Sequence, residues 1–224
     1  MMMRPYVIVN SAMSMDGKIS TVERVQIRIS SEWDRKRVDA LRASSDAIMV
    51  GIGTVLSDDP SLTVKSEELR KKRISEGKDE NPLRVVVDSK LRIPENAEIL
   101  WKGAGKRLIF TTSLASEEKI EKISRFAEVL ITGDERVNLR DAMRELHKRG
   151  VRKLLVEGGG TLIYSLLREN LVDEISVYIG NFVIGGARAP TLADGEGFTE
   201  NFPRFHLSSV ITDSEGVLLR WIRR

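Results

Sequence analysis

Apolar positions along this chain follow two periods. Short runs rich in β-branched residues, at 6–11 (YVIVNS), 46–50 (DAIMV), 83–88 (LRVVVD), 107–112 (RLIFTT), 128–132 (EVLIT) and 153–156 (KLLV), read as strands. Helix-period segments lie between them. Ser31 stands as N-cap of a helix over 31–45, with Trp33, Val38 and Leu41 on one face. Asn138 caps another, whose Leu139, Ala142, Met143 and Leu146 fall at i, i+3, i+4 and i+7 and which stops at Gly150. Segments 116–126 and 161–169 are helical, whereas 173–180, 204–212 and 217–222 are strands with no helix between them. The expected class is α/β: a mainly parallel sheet with flanking helices and antiparallel C-terminal edge strands. No linker or repeat interrupts 1–224, so a single domain is expected, with 66–81 a charged surface excursion.

Composition removes whole classes of chemistry. The chain has no Cys and two His, so disulfides, iron–sulfur clusters, thiol nucleophiles and cysteine-held zinc are excluded, and no metal site is expected. Lys and Arg number 36 against 33 Asp and Glu, a net charge of +3 spread along the chain. The densest basic run, Arg70-Lys71-Lys72-Arg73, is flanked by Glu67, Glu68 and Glu76. It reads as a solvated helix face, and no nucleic-acid partner is expected. Nowhere do 18 apolar residues run together, and the N-terminus lacks a signal-peptide pattern. A cytoplasmic protein without a membrane partner is expected.

Two glycine-rich turns follow strands, at Gly51-Ile52-Gly53-Thr54 and at Glu157-Gly158-Gly159-Gly160-Thr161. In open α/β sheets, ligands bind beyond the carboxyl ends of strands, and helix N-termini offer N–H groups to phosphates. Neither turn is a dinucleotide fingerprint or a P-loop. Each can also be glycine that merely permits tight packing. The Asp58-Asp59-Pro60 stretch fits a carboxylate pair or a capped turn equally well.

Taken in order, several motifs resemble one family. They are SMDGK at 14–18, LRA at 41–43, GIGTVLSDDP at 51–60 followed by Leu62-Thr63, Asp88-Ser89 with LRIP at 91–94, EGGGT at 157–161 and LVDE at 171–174. Over essentially its whole length the chain resembles the riboflavin-biosynthesis pyrimidine reductases. That resemblance implies a dihydrofolate-reductase-like fold, a homodimer, and NADPH as cofactor with NADH as the alternative. The reaction implied is reduction of the ribose of a ribosylaminopyrimidine 5′-phosphate to ribityl.

Carried onto this sequence, the resemblance assigns Ala12, Thr54, Asp58, Ser89, Gly158, Gly159, Gly160 and Thr161 to the cofactor. It assigns Arg42, Leu62, Lys65 and Glu157 to the substrate. Position 65 is often Arg in the family, so Lys65 offers a point charge in place of a fork. Gln26 and Arg28 stand where bacterial members carry Ser and Trp. A ring-opened imine would accept hydride at C1′, and Glu157, Asp16 and Lys18 are the polar candidates for proton delivery, with water an equal alternative.

Bacterial members are commonly fused to a zinc deaminase with Cys ligands. A Cys-free chain beginning on the reductase motif resembles the stand-alone archaeal and fungal type, which acts on the 2,5-diamino-pyrimidinone. The alternatives are a reductase of the deaminated 5-amino-uracil, a dihydrofolate reductase, and a non-catalytic nucleotide-binding module.

Overall fold

Runs without polar interruption form the inner strands, because a parallel strand is covered on both faces. The computed structural model describes residues 3–25 and 27–224, so Gln26 lies outside the described residues. The chain divides into two compact units, one of residues 3–5 and Asp39–Leu155, the other of Tyr6–Val38 and Val156–Arg224.

The first unit carries β2 (Ala47–Gly51), β3 (Leu83–Val87), β4 (Arg107–Thr111), β5 (Glu128–Ile131) and all but the last residue of β6 (Lys153–Val156), in the order β5-β4-β3-β2-β6. Adjacent members of β2, β3, β4 and β5 pair in parallel, with Val50 opposite Val86 and Val86 opposite Ile109. Ala47, Ile48, Met49 and Val50 are fully buried. Connecting these strands are α2 (Ile52–Asp58), α3 (Glu67–Ser75), α4 (Glu98–Trp101), α5 (Glu117–Ile123) and α6 (Leu139–Lys148). The α6 stripe Leu139, Ala142, Met143 and Leu146 is buried, and the Asn138 side chain accepts the Asp141 N–H at 3.1 Å as cap. Truncating Leu146 to Ala would cost about 2–5 kcal/mol.

The second unit holds β1 (Tyr6–Met13), α7 (Gly160–Arg168), β7 (Glu174–Gly180), β8 (Phe205–Thr212) and β9 (Gly216–Arg223). Its strand order is β1-β7-β9-β8: β1 and β7 are parallel, while β9 runs antiparallel to both β7 and β8. Parallel strands followed by antiparallel C-terminal strands match the expected class. Helix α1 (Glu32–Ser44) begins in this unit and ends in the first.

Three expectations are revised. The basic run 70–73 does lie on a helix, α3, capped by Ser66, whose hydroxyl accepts the Leu69 N–H at 3.3 Å, but Arg73 of that run is buried rather than solvated. Short α4 has no counterpart in the sequence reading. Trp33 is 39 % exposed, whereas Asp34 of α1 is buried. The buried Asp34 is satisfied by Arg37, whose guanidinium also donates to Asn10 Oδ1 at 2.7 Å and Ser176 Oγ at 3.2 Å. A buried charge persists only with such partners.

Candidate active site

In the first unit, α1 ends and the segment after α2 begins on the same cluster. Helix α2 is anchored by Ile52 and Val55 and leaves Thr54 half-buried. Gly53 is exposed, and a Cβ there would meet nothing within 4 Å. Protein packing therefore gives no reason for glycine at this position, and the open surface leaves room for a ligand. Asp59 closes the helix in the left-handed region at φ 41°, and its Oδ1 accepts the Glu98 N–H at 2.8 Å. The acidic doublet is thus half structural, with Asp58 half-buried beside it.

The next residues bring two cations together. Arg42 Nη1 donates to the Thr63 carbonyl at 3.1 Å. Lys65 Nζ donates to Ser61 Oγ and Thr63 Oγ1, each at 3.0 Å, and those hydroxyls lie 3.1 Å apart. Although Lys65 is exposed as a residue, burial of its ammonium, followed by the Arg42 charge, pushes its pKa below the usual lysine range. Two cations brought together beside hydroxyls are an arrangement able to accept an anion. Leu62 contributes differently from expectation. The whole residue is 1 % exposed, with φ +50°, so it packs in the core.

Ser89 follows β3 and is already engaged. Its hydroxyl accepts the Val137 N–H at 3.2 Å, and its carbonyl accepts the Thr112 hydroxyl at 2.6 Å. The preceding Asp88 is fully buried and holds the same loop by accepting the Ile93 N–H at 2.8 Å.

In the second unit, Ala12 sits half-buried in β1 opposite Tyr178. The 14–18 loop closes through Ser14 N–H to the Lys18 carbonyl at 2.8 Å. Asp16 is already engaged by its neighbours. Its carboxylate accepts the Ser14 hydroxyl at 2.6 Å and the N–H groups of Ile184 at 3.1 Å and Gly185 at 2.8 Å. These bonds, the Ser14 one foremost, hold its pKa at about 2, so at neutral pH it has no proton to give. It tethers the 184–185 loop. Lys18 is half-buried, bridged through its backbone to Thr191.

Glu157 is half-buried directly after β6, and Gly158 continues at φ +133°, a backbone only glycine adopts readily. Gly159 is the N-cap of α7 without a side-chain cap, and Thr161 is exposed. The first N–H groups of a helix lack intrahelical acceptors, so this turn presents donors to an anion. Gly160 has a packing reason of its own. A Cβ there would lie 2.6 Å from Asp194 Oδ2 and 2.8 Å from the Thr191 carbonyl. Among the described residues no cluster of three or more His, Asp or Glu could hold a metal ion. Among the described residues no helix is long and apolar enough to cross a membrane either.

The chain belongs to the RibD C-terminal domain family, whose model matches residues 5–219. Two archaeal proteins named 2,5-diamino-6-ribosylamino-4(3H)-pyrimidinone 5′-phosphate reductase are similar to it. That of Archaeoglobus fulgidus is 58 % identical, covering 88 % of this chain and 89 % of its own. That of Methanothermobacter thermautotrophicus is 45 % identical, covering 88 % of each. Among solved structures, RibD of Acinetobacter baumannii superposes with a TM-score of 0.80 at 26 % identity, over 99 % of this chain and 58 % of that one.

Sequence reading missed Asp39, Ser61, Thr63 and Asn81, whose bonds shape the cation cluster. Thr63 lay within a quoted motif, but nothing in the spacing distinguished its hydroxyl from that of any other threonine.

Proposed function

We propose that this chain reduces the ribosyl group of 2,5-diamino-6-ribosylamino-4(3H)-pyrimidinone 5′-phosphate to ribityl, with NADPH as the reductant. The observation that carries the reading is the Arg42–Lys65 pair beside Ser61 and Thr63, a cation cluster in a chain 58 % identical to a reductase of that name. The whole of 1–224 acts as one catalytic chain, in keeping with a family match over 5–219.

NADPH, when bound, supplies the hydride. Ala12, Thr54, Asp58, Ser89 and the 158–161 turn are the residues that would contact it. The open surface at Gly53 and the glycine-only backbone at Gly158 fit close approach of such a group. Arg42 and Lys65 bind the 5′-phosphate and fix the sugar, so remote binding energy serves orientation. Glu157 contacts the substrate. With Asp16 occupied as a tether, Glu157, Lys18 or a water delivers the proton. The proposed location is the cytoplasm.

A homodimer is proposed from one sheet face of the second unit. Cross-strand register places Ile175, Trp221 and Leu207 in one row, and Val177, Leu219 and Val210 in the next on the same face. Leu207 is 46 % and Val210 53 % exposed, on the last strand of the order. A self-complementary apolar face of this kind is what a two-fold partner covers.

NADPH oxidation followed at its absorbance band tests the function with three substrates: the diaminopyrimidinone, its deaminated counterpart and dihydrofolate. Fastest turnover of the first is expected. Preference for the deaminated compound would move the substrate assignment, and turnover of dihydrofolate alone would overturn it. Repeating the assay with NADH tests the cofactor.

A further inference from the structure

We propose that Asn81 is a positioning residue of the phosphate grip, acting on Arg42 through the peptide plane that joins Thr63 to Val64. This rests on the reading of Arg42 and Lys65 as phosphate contacts. Asn81 is 1 % exposed, and both ends of its amide are used. Its Oδ1 accepts the Val64 N–H at 2.8 Å, and its Nδ2 donates to the Ala104 carbonyl at 3.0 Å. Both partners are backbone groups of fixed polarity, so the amide has one orientation that satisfies them.

The Val64 N–H and the Thr63 carbonyl belong to one planar peptide group. Asn81 holds the N–H end, and the carbonyl end accepts Arg42 Nη1 at 3.1 Å. Rotating that plane would therefore move the acceptor that aims the Arg42 guanidinium. The two following peptides are clamped in the same way. Asp39 accepts the N–H groups of Lys65 and Ser66 at 2.7 and 2.8 Å, and Arg70 Nη1 donates to the carbonyls of Val64 and Lys65 at 2.9 and 2.7 Å. Three successive peptides in a segment with no helix or strand are thus each fixed at both ends by side chains.

The far side of Asn81 is equally rigid. The Ala104 carbonyl that receives it also accepts Arg84 Nη2 at 2.8 Å, and Arg84 is fully buried. Arg84 and Arg107 further bond the carbonyls of Gly103 and Gly105. Gly103 sits at φ +74°, where a Cβ would lie 2.8 Å from Thr63 Cγ2. The 103–105 loop therefore abuts Thr63 directly, and Asn81 is the hydrogen-bonded link between loop and grip. A grip held in place before substrate arrives loses less freedom on binding.

The test compares Asn81→Ala, Asn81→Asp and Arg42→Ala with the parent protein, on the phosphorylated substrate and its dephosphorylated form. For Asn81→Ala, KM for the phosphorylated substrate should rise about tenfold while kcat stays within about twofold. NADPH affinity and KM for the dephosphorylated compound should hold. Asn81→Asp keeps an acceptor for the Val64 N–H but sets its second oxygen against the Ala104 carbonyl, so it should recover little of the loss. Should Asn81→Ala not fold, Asn81→Ser, too short to reach Val64, carries the same expectation. Equal KM changes with and without the phosphate, or none at all, would overturn the role of Asn81. If Arg42→Ala likewise ignores the phosphate, the phosphate reading itself falls and this inference with it; if Arg42→Ala alone discriminates, only the inference falls.

Discussion

The Asp39 carboxylate accepts the backbone N–H of Lys65 at 2.7 Å, three residues before Arg42 on the same helix. One turn of α1 therefore supplies a cation and also fixes the backbone that carries the other cation. The clustering of Arg42 and Lys65 follows from that geometry, although 22 intervening residues separate them in sequence (65 − 42 − 1). Mutual repulsion of two such charges is tolerated where an anion completes the cluster.

If these cations read a phosphate, Arg42→Ala and Lys65→Ala should each weaken substrate binding by about 10- to 150-fold, as expected for charge-assisted contacts of roughly 1.5–3 kcal/mol. NADPH affinity should change little. The penalty should shrink with a dephosphorylated substrate. Steady-state KM values for both substrates check this, and equal penalties would remove the phosphate from the account.

The glycines separate by what surrounds them. Gly53→Ala meets no atom within 4 Å and should gain up to about 1 kcal/mol of stability through helix propensity while weakening NADPH binding. Gly160→Ala should instead cost about 1–3 kcal/mol, because its Cβ would strike Asp194 and Thr191. Gly159→Val should fold and lose NADPH affinity. Thermal melts and cofactor titrations of the three variants decide this, and unchanged NADPH affinity in folded Gly159→Val would remove the 158–161 turn from the cofactor site.

Asp16 sets a pH expectation. Its folded pKa of about 2 lies below the ordinary 3.8, so the tether is fully present above about pH 4 and is lost as pH falls through about 2. Hydrogen exchange at the Ile184 and Gly185 amides should stay protected down to about pH 3. Loss of protection near pH 5 would contradict the tether.

Much of the fold was legible because β2, β3 and β4 are apolar runs and α6 has a clean stripe. Helix α3 was legible only as a charged face around 70–73, since Glu67–Ser75 carries only Leu69 and Ile74 as apolar residues. It is held instead by the Ser66 cap and by Arg73, which donates to the carbonyls of Ala43, Ser45 and Asp79. Bonds of that kind join distant residues and leave no periodic trace. The same holds at the candidate site. Arg42 and Lys65 could be assigned by resemblance, but Asp39 and Asn81 reveal themselves only where the chain has folded back on them. The tether at Asp16 was hidden for the same reason: its partners Ile184 and Gly185 lie far along the chain.

The proposed dimer is open to a direct test. Light scattering of the parent protein should give twice the chain mass at micromolar concentration. Val210→Glu, at an exposed position of the apolar face, should shift it to the single-chain mass with secondary structure kept. A parent protein of single-chain mass would contradict the dimer.

The central claim is that hydride reaches the sugar carbon C1′ of a pyrimidinone phosphate. Turnover with NADPH carrying deuterium at both C4 positions of the nicotinamide, followed by NMR of the product, tests this most directly. The account expects one deuterium at C1′ of a ribityl chain and none on the pyrimidine ring. Label on the ring, or oxidised cofactor without label in the ribityl group, would contradict it.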